Sequence, residues 1–286
     1  MRKYDLNQTA VVQSFSQAAA QYDQLAVLQR NMGDELLERL SLIKIEPQTI
    51  VDLGCGTGEL TYQLQQRYPD AKVIGIDAAD NMISVAKQQH PDIEFYTAFA
   101  EQTHLSTDSV DLIVSNAMLQ WTQPDPVFQE CRRLLKQEGL LMFTTFGPDT
   151  LQELRYCWAQ IDDAVHVNRF MDMHDMGDAL VKAKFADPVM DMYNSSVIYP
   201  DVLSLMRYLK ALGAHNVNSG RRKTLLSRAS LNKLDEHYAQ FSDGDNVYAT
   251  FEVIHGHAWG PDVTVDQTAN RDGVVNIPIN RITRKS

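Results

Sequence analysis

The chain has 286 residues, 44% of them hydrophobic, so it is long enough to form one large α/β domain or two small ones. Its formal net charge of -11 argues against non-specific nucleic-acid binding and against attraction to an anionic membrane face. No run approaches the roughly 18 apolar residues that span a bilayer, and no apolar stretch follows the charges of MRKYDLNQ. We therefore expect a soluble, cytoplasmic protein without a nucleic-acid or membrane partner.

Apolar side chains recur every three or four residues ahead of the first predicted strand. This spacing predicts two amphipathic helices within residues 1–45. We expect this segment to be a helical lid that closes over a ligand, with Tyr22 and Arg30 facing that ligand. The alternative is that Phe15 and Tyr22 only pack against the core.

The stretch TIVDLGCGTGEL, residues 49–60, predicts a strand that turns sharply into a helix. Gly54, Gly56 and Gly58 permit backbone dihedrals closed to other residues and let a ligand approach the main chain. Asp52 places a carboxylate at the end of the strand, where it suits a ligand that carries positive charge. The spacing matches neither the G-x-G-x-x-G fingerprint nor a P-loop, which argues against a nucleotide phosphate site.

A second strand, KVIGID, ends at Asp77. Open α/β sheets place at this position the carboxylate that binds a ribose diol. Asp80 is predicted to cap the helix that follows, and the inward face of this helix is predicted to begin with Met82. We expect Asp77, Ala78 and Met82 to line the same site as the glycine loop.

Strands and helices continue to alternate, as a doubly wound parallel sheet requires. Further strands are predicted at residues 93–98, 110–115 and 140–146. Ala100, Glu101 and Asn116 follow two of these strands, at the sheet edge where such folds bind ligands. Between the last two strands, Asp125 is predicted to cap a helix that Gly139 closes.

The pattern changes after the fifth strand. Thr150 and Glu153 have the spacing of a capping box, which predicts a helix beginning there. Two more helices and two more strands are predicted at residues 175–184, 189–199, 201–212 and 250–254. We expect the last strand to be antiparallel at the sheet edge. The predicted domain covers residues 46–261, with helical insertions around 150–188 and 200–245, and a mobile tail at 262–286.

The motif D-L-G-C-G-T-G followed by I-G-I-D resembles the class I S-adenosylmethionine-dependent methyltransferases. More specific segments resemble the malonyl-acyl carrier protein O-methyltransferases of biotin synthesis: SFSQAAAQYDQLAVLQR, SNAMLQW, TFGPDTLQELR, HVNRFMDMHDMGDALVKAKFADPVMD, LKALGAHN and HGHAWGP. This resemblance covers roughly residues 5–261. It implies an α/β, Rossmann-like class I methyltransferase fold, with a seven-stranded, mostly parallel sheet, N-terminal helices and a helical lid insertion.

The resemblance implies transfer of a methyl group from S-adenosylmethionine to the free carboxylate of malonyl on an acyl carrier protein. A carboxylate is ionised at pH 7, so it needs no general base. The rate of methyl transfer then depends on alignment of the oxygen, the methyl group and the sulfonium sulfur, on exclusion of water, and on a cationic anchor for the carboxylate. Arg155 is the first candidate anchor because its planar fork matches a carboxylate. Tyr22 and His166 are the other candidate catalytic residues, and Arg169 is the next to test.

The resemblance also implies which residues bind S-adenosylmethionine. The predicted set is Asp52, Gly54, Gly56, Gly58, Asp77, Ala78, Met82, Ala100, Glu101, Asn116 and Arg30. No metal is expected, because no Cys or acid at ligand spacing accompanies the His255-x-His257 pair. The three cysteines are far apart in sequence and are expected to be reduced packing residues.

The carrier-protein partner is acidic as a family, so this acidic chain needs a local basic patch to bind it. The densest basic run is Arg221, Arg222 and Lys223, followed by Arg228. Other candidate patches are formed by Lys182 and Lys184, and by Arg132, Arg133 and Lys136. Two alternatives remain open. One is a methyltransferase for a small acid or a quinol-type acceptor, and the other is a non-catalytic S-adenosylmethionine-binding subunit.

Overall fold

A computed structural model describes residues 6–218, 221 and 227–260. The predicted tail at residues 262–286 lies outside this range. The described residues form a seven-stranded sheet in the order β3-β2-β1-β4-β5-β7-β6. The strands are β1 Thr49–Leu53, β2 Lys72–Asp77, β3 Glu94–Thr97, β4 Val110–Ser115, β5 Leu135–Phe146, β6 Ala186–Tyr199 and β7 Val247–Trp259.

Three helices precede the sheet instead of the two that the sequence predicts. They are α1 Gln8–Ala18, α2 Tyr22–Leu25 and α3 Val27–Leu40. The remaining helices are α4 Glu59–Arg67, α5 Asp80–Gln89, α6 Pro124–Leu134, α7 Gln152–Ala159, α8 Met173–Lys182, α9 Val202–Ala211 and α10 Arg228–Tyr238. None of the helices in the described part of the chain is long and apolar enough to cross a bilayer.

Successive side chains of a strand point to opposite faces of the sheet. Both faces are buried because helices pack on each of them. In β1, Val51 and Leu53 pack with α6 and α8 residues, including Phe128 and Leu180. Ile50 packs on the other face with Leu36 of α3 and with residues of α4. The parallel strands therefore carry near-continuous apolar runs, as both-sided burial requires.

The prediction that the last strand is antiparallel is confirmed, but its predicted place at the edge is wrong. Strand β7 lies between β5 and β6 and pairs antiparallel with both. Nearly all of β7 is buried, whereas β6 alternates half-buried and exposed residues, as an edge strand with one solvated face does. Strand β7 pairs with β6 along most of its length, and it is therefore much longer than the predicted strand at residues 250–254.

Three predicted helix signals are wrong. Helix α6 ends at Leu134, and Gly139 lies inside β5, next to a register irregularity between Val110 and Leu112. Neither Asp80 nor Asp125 caps a helix, because α5 and α6 begin at or before these residues without a side-chain cap. In each case the local motif is present, but the helix begins or ends at a different residue.

The predicted capping box is also wrong. Thr150 Oγ1 accepts a hydrogen bond from the Glu252 backbone N–H at 3.1 Å. The Glu153 carboxylate accepts one from the Thr250 backbone N–H at 3.0 Å and another from the Thr250 hydroxyl. Leu151 precedes α7 with a φ of 57° and no side-chain cap. These side chains therefore join the start of α7 to β7 instead of capping the helix.

Candidate active site

A cleft of about 720 Å³, open to solvent, lies at the carboxyl edge of the parallel strands. The chain segments that leave β1, β2 and β4, and the one that follows β3, form its floor. Helix α1 and Tyr22 cover it from above. The lining side chains from these segments include Leu53, Gly54, Gly56, Asp77, Ala78, Met82, Ala100, Glu101, Asn116, Met118 and Trp121.

The glycine loop after β1 brings bare main chain to this cleft. Gly54 has a φ of +82°, and a Cβ there would lie 2.3 Å from Met118 Cγ. Gly56 has a φ of +55°, but a Cβ there would meet only Tyr22 Cε1 at 3.8 Å. Gly54 is therefore required by packing and Gly56 by backbone conformation. Because Gly56 faces open space, a ligand can approach its peptide closely.

Asp77 holds the loop in place and faces the cleft. Its carboxylate oxygens accept hydrogen bonds from the backbone N–H groups of Gly56 at 3.0 Å and Ala79 at 2.8 Å. Burial raises the pKa of Asp77, while these N–H donors oppose the rise. Each carboxylate oxygen has a second lone pair, so both can still accept a hydroxyl proton. This geometry suits a vicinal diol.

A second cleft, of about 620 Å³, continues from the first around the glycine loop. It contains Asp52, whose Oδ2 accepts a hydrogen bond from Thr61 Oγ1 at 2.7 Å. Asp52 Oδ1 is buried and has no partner among the described residues. Burial raises the pKa of Asp52 to about 7, and the Thr61 hydroxyl opposes this rise. An unpaired carboxylate oxygen next to bare main chain fits a ligand with a cationic group.

Asp23, in α2 of the predicted lid, makes side-chain contacts with the body of the protein. Its carboxylate accepts hydrogen bonds from Thr57 Oγ1 and from Gln89 Nε2, the latter at 2.9 Å. Its backbone carbonyl accepts one from the Arg30 guanidinium. The segment after α1 is thus bonded to the glycine loop and to α5 at the rim of the second cleft.

The structure brings most of the predicted cofactor residues together. The two clefts are lined by the predicted Asp52, Gly54, Gly56, Asp77, Ala78, Met82, Ala100, Glu101, Asn116 and Arg30, and by Tyr22. Gly58 lines neither cleft. Its φ is +90°, and a Cβ there would meet Phe95 Cζ at 2.9 Å, so Gly58 serves the turn into α4 and its packing.

Arg155 lies outside both clefts, on α7. Its guanidinium donates hydrogen bonds to the carbonyl oxygens of Pro148 at 2.9 Å and Thr150 at 2.8 Å. Burial lowers the pKa of Arg155; Asp149 opposes that shift and Arg169 adds to it. The ion pairs of the described residues include none to Arg155. Arg155 is thus a half-buried cation with spare donors.

His166 is farther from the clefts than the sequence suggests. Its ring stacks on Trp158 with a centroid distance of 3.8 Å, and its Nε2 lies 2.7 Å from Asp162 Oδ1. Both rings line a separate cavity between α7 and α9. The structure therefore does not bring His166 together with Tyr22 and the glycine loop.

Several cleft residues were missed by sequence reasoning. Gln8, Val11, Trp121 and Met118 line the first cleft, and Asp23 lines the second. Val11 stands next to Val12, where the apolar stripe of the predicted lid begins, and that stripe predicts an inward face but not what the face covers. Met118 follows Ala117, whose positive φ of 50° has no signature in the sequence. Asp23 stands directly after the predicted site residue Tyr22, and this adjacency is the signal that could have predicted Asp23 as a cleft residue.

His255 and His257 both lie on β7. The described residues contain no group of three or more His, Cys, Asp or Glu placed to hold a metal ion. His255 Nε2 instead lies 3.2 Å from Glu35 Oε2. The three predicted free cysteines are buried and unbonded.

The fold is that of the class I S-adenosylmethionine-dependent methyltransferases. Residues 50–139 match a family described as a methyltransferase domain. A solved S-adenosylmethionine-dependent methyltransferase from Thermotoga maritima superposes with a TM-score of 0.53 at 15% identity, covering 88% of this chain and 100% of that one. This likeness supports the fold.

The sequence comparison defines the family more narrowly. The malonyl-[acyl-carrier protein] O-methyltransferase of Gallionella capsiferriformans is 42% identical over 97% of this chain and 98% of its own. The protein of that name from Laribacter hongkongensis is 44% identical over 87% of this chain and 88% of its own. The chain belongs to the malonyl-[acyl-carrier protein] O-methyltransferase family.

Proposed function

We propose that the protein transfers the methyl group of S-adenosylmethionine to the free carboxylate of a malonyl thioester on acyl carrier protein. The product is the methyl ester that begins pimeloyl formation for biotin. The observation that carries this proposal is the glycine-loop cleft, with Asp77 placed for a diol and Asp52 for a cation. The near-full-length similarity to relatives named for this reaction selects the acceptor.

The residues of the cleft account for how the cofactor is held. Bound S-adenosylmethionine supplies a methyl group on a positively charged sulfur. The Asp77 carboxylate accepts from the ribose hydroxyls, and the free lone pairs of Asp52 face the cationic amino-acid end. The main chain at Gly56 leaves room for both the ribose and the amino-acid end of the cofactor. Each role requires the geometry described above, and none requires a metal.

The site has no need of a base, because the acceptor carboxylate is already ionised at pH 7. What the protein must supply is alignment and the removal of water from the attacking oxygen. Val11, Phe15 and Trp121 form an apolar roof over the first cleft. We propose that residues 1–45 act as a lid and that this roof excludes water when the lid is closed.

Arg155 remains the proposed anchor for the malonyl carboxylate. Two of its five N–H donors hold the Pro148 and Thr150 carbonyls, which leaves three for a ligand. A half-buried guanidinium without an ion-pair partner gains most from an incoming anion. Tyr22 and His166 remain proposed catalytic residues. Tyr22 is the better placed because it lines both cofactor clefts.

The basic run at Arg221 remains the proposed docking site for the carrier protein. Arg222 and Lys223 lie outside the described residues. The rival patches are less available, because Arg133 pairs with Glu130, Lys136 with Asp111 and Lys182 with Asp125. We propose no nucleic-acid or membrane partner.

The test is methyl transfer from labelled S-adenosylmethionine to purified malonyl-carrier protein. Free malonate, a quinol and acetyl-carrier protein are the comparison acceptors. The proposal requires labelled methyl ester with the malonyl thioester and none with the acetyl thioester, which lacks the carboxylate. Efficient methylation of free malonate or of the quinol would favour the small-acceptor alternative. Cofactor binding without transfer to any acceptor would favour a binding subunit.

A further inference from the structure

A third cavity, of about 990 Å³ including space open to solvent, lies between α7 and α9 and shares no lining residue with the two clefts. Its walls are mostly apolar. They are formed by Leu151, Leu154, Trp158, Val165, Val167, Phe170, Met206, Leu209 and Ala214. Because part of this space is open to solvent, the cavity can hold one part of an extended small molecule while the rest lies outside.

The charged groups at this cavity are cationic. Lys210, which is exposed, and Arg221 both line it, and its described lining contains no carboxylate. Neither cation forms an ion pair within the described part of the chain. Burial lowers the pKa of His215, and Arg221 and Lys210 lower it further, so both cations lie near His215, which also lines the cavity. The cavity therefore suits a molecule with an apolar body and one anionic end.

This cavity and the cofactor cleft share a thin wall. Val11 and Trp121 line the cleft and pack with Val217, and Ala214, which lines the cavity, packs against the same cluster. Helix α1 supplies part of this wall, since Ser14 Oγ lies 3.2 Å from His215 Nε2. Movement of the lid would therefore join the two spaces.

We propose that this cavity binds the 4′-phosphopantetheine arm of the malonyl thioester, with the phosphate at Lys210 and Arg221. This inference rests on the proposed function. On the carrier protein the arm has a phosphodiester with one negative charge, an apolar dimethyl segment next to it, and a thioester at its far end. With the phosphate at the cationic mouth, the apolar segment lies along Leu154 and Met206. The thioester end then points to the wall that α1 shares with the cofactor cleft.

The experiment measures binding by calorimetry and does not depend on turnover. The ligands are 4′-phosphopantetheine and pantetheine, which differ only in the phosphate, and the protein is the full chain with S-adenosylhomocysteine bound. We expect the phosphorylated ligand to bind at least about tenfold more tightly. In the double variant Lys210→Ala/Arg221→Ala this preference should disappear, while pantetheine binding stays the same. Arg207→Ala, on the same helix but outside the cavity lining, should keep the preference.

Equal binding of the two ligands to the unaltered protein would overturn the inference. So would a phosphate preference that survives in the double variant. A variant that fails to fold is recognised by loss of S-adenosylhomocysteine binding, and charge reversal at Lys210 alone, Lys210→Glu, then gives the same comparison. Methyl transfer to malonyl-carrier protein and to malonyl-coenzyme A is measured separately. Absence of transfer with intact phosphate preference would refute the proposed function and leave the arm site standing.

Discussion

The carboxylate of Asp23 accepts a hydrogen bond from Thr57 Oγ1, which joins the lid directly to the glycine loop. Thr57 lies between Gly56 and Gly58 in the chain and lines the second cleft. The position of the proposed lid and the conformation of the glycine loop are therefore linked through this contact. Because Gln89 donates to the other oxygen of Asp23, the same carboxylate also holds α5. The proposed lid is therefore bonded both to the glycine loop and to α5, the elements on which we propose that the cofactor binds.

Replacing Asp23 with alanine should loosen this fastening. Losing two side-chain hydrogen bonds costs about 1 to 2 kcal/mol, which predicts roughly 5- to 30-fold faster release of the cofactor. Stopped-flow displacement of S-adenosylhomocysteine measures this rate. Asp34→Ala, which removes another carboxylate bonded to α4 by Gln63 at 3.2 Å, is the matched control. Unchanged release from the Asp23 variant would mean that the lid is held elsewhere.

Asp77→Ala should weaken cofactor binding while the protein stays folded. Loss of a charged hydrogen-bonding group costs about 1.5 to 3 kcal/mol, or roughly 10- to 150-fold in affinity, because both the diol contact and the bond to Gly56 N–H disappear. Titration calorimetry gives the affinity. Asp80→Ala, three residues along the same segment, should bind normally. Normal affinity in the Asp77 variant would remove this residue from the site.

Cofactor affinity should rise as the pH increases through about 7, because burial raises the pKa of Asp52 to about that value. Below this pH the carboxyl is protonated and neutral, and above it the carboxylate attracts the cationic end of the cofactor. Asp52→Asn keeps the shape and the bond with Thr61 but cannot ionise. The affinity of this variant for the cofactor should therefore be lower, and it should not show the increase that ionisation of Asp52 causes near pH 7. The amino group of the cofactor titrates equally with both proteins. Identical pH profiles for the two proteins would contradict the assignment.

Arg155→Ala should leave cofactor affinity unchanged and lower methyl transfer by at least about tenfold, since an orienting contact is lost in the transition state. Arg155→Lys should restore only part of the rate, because an ammonium lacks the two-pronged geometry. Gln152→Ala, exposed on the same helix, is the control. A lower melting temperature with normal turnover would show that Arg155 only secures the Pro148 and Thr150 carbonyls. Arg169 would then be tested next.

The parts of the site that are local in sequence could be predicted. A strand followed by glycines and then a helix predicts where Asp52 and Gly56 lie. The end of β2 predicts the position of Asp77, because parallel strands end at the same edge of the sheet. The wrong predictions involve residues whose partners are distant in sequence. Gly139 meets a register change between β4 and β5, and Glu153 bonds to a strand nearly one hundred residues later. No short motif contains that information.

The contacts between α7 and β7 have a consequence for the order of events in the enzyme. Leu151 N–H donates to the Thr250 carbonyl at 2.7 Å, in addition to the bonds made by Thr150 and Glu153. We therefore expect the amide hydrogens of α7 to exchange slowly, with the sheet, and those of α1 to exchange faster, with opening of the proposed lid. If so, the proposed acceptor side at Arg155 is formed before a ligand binds, and cofactor capture is the step that requires movement of the chain.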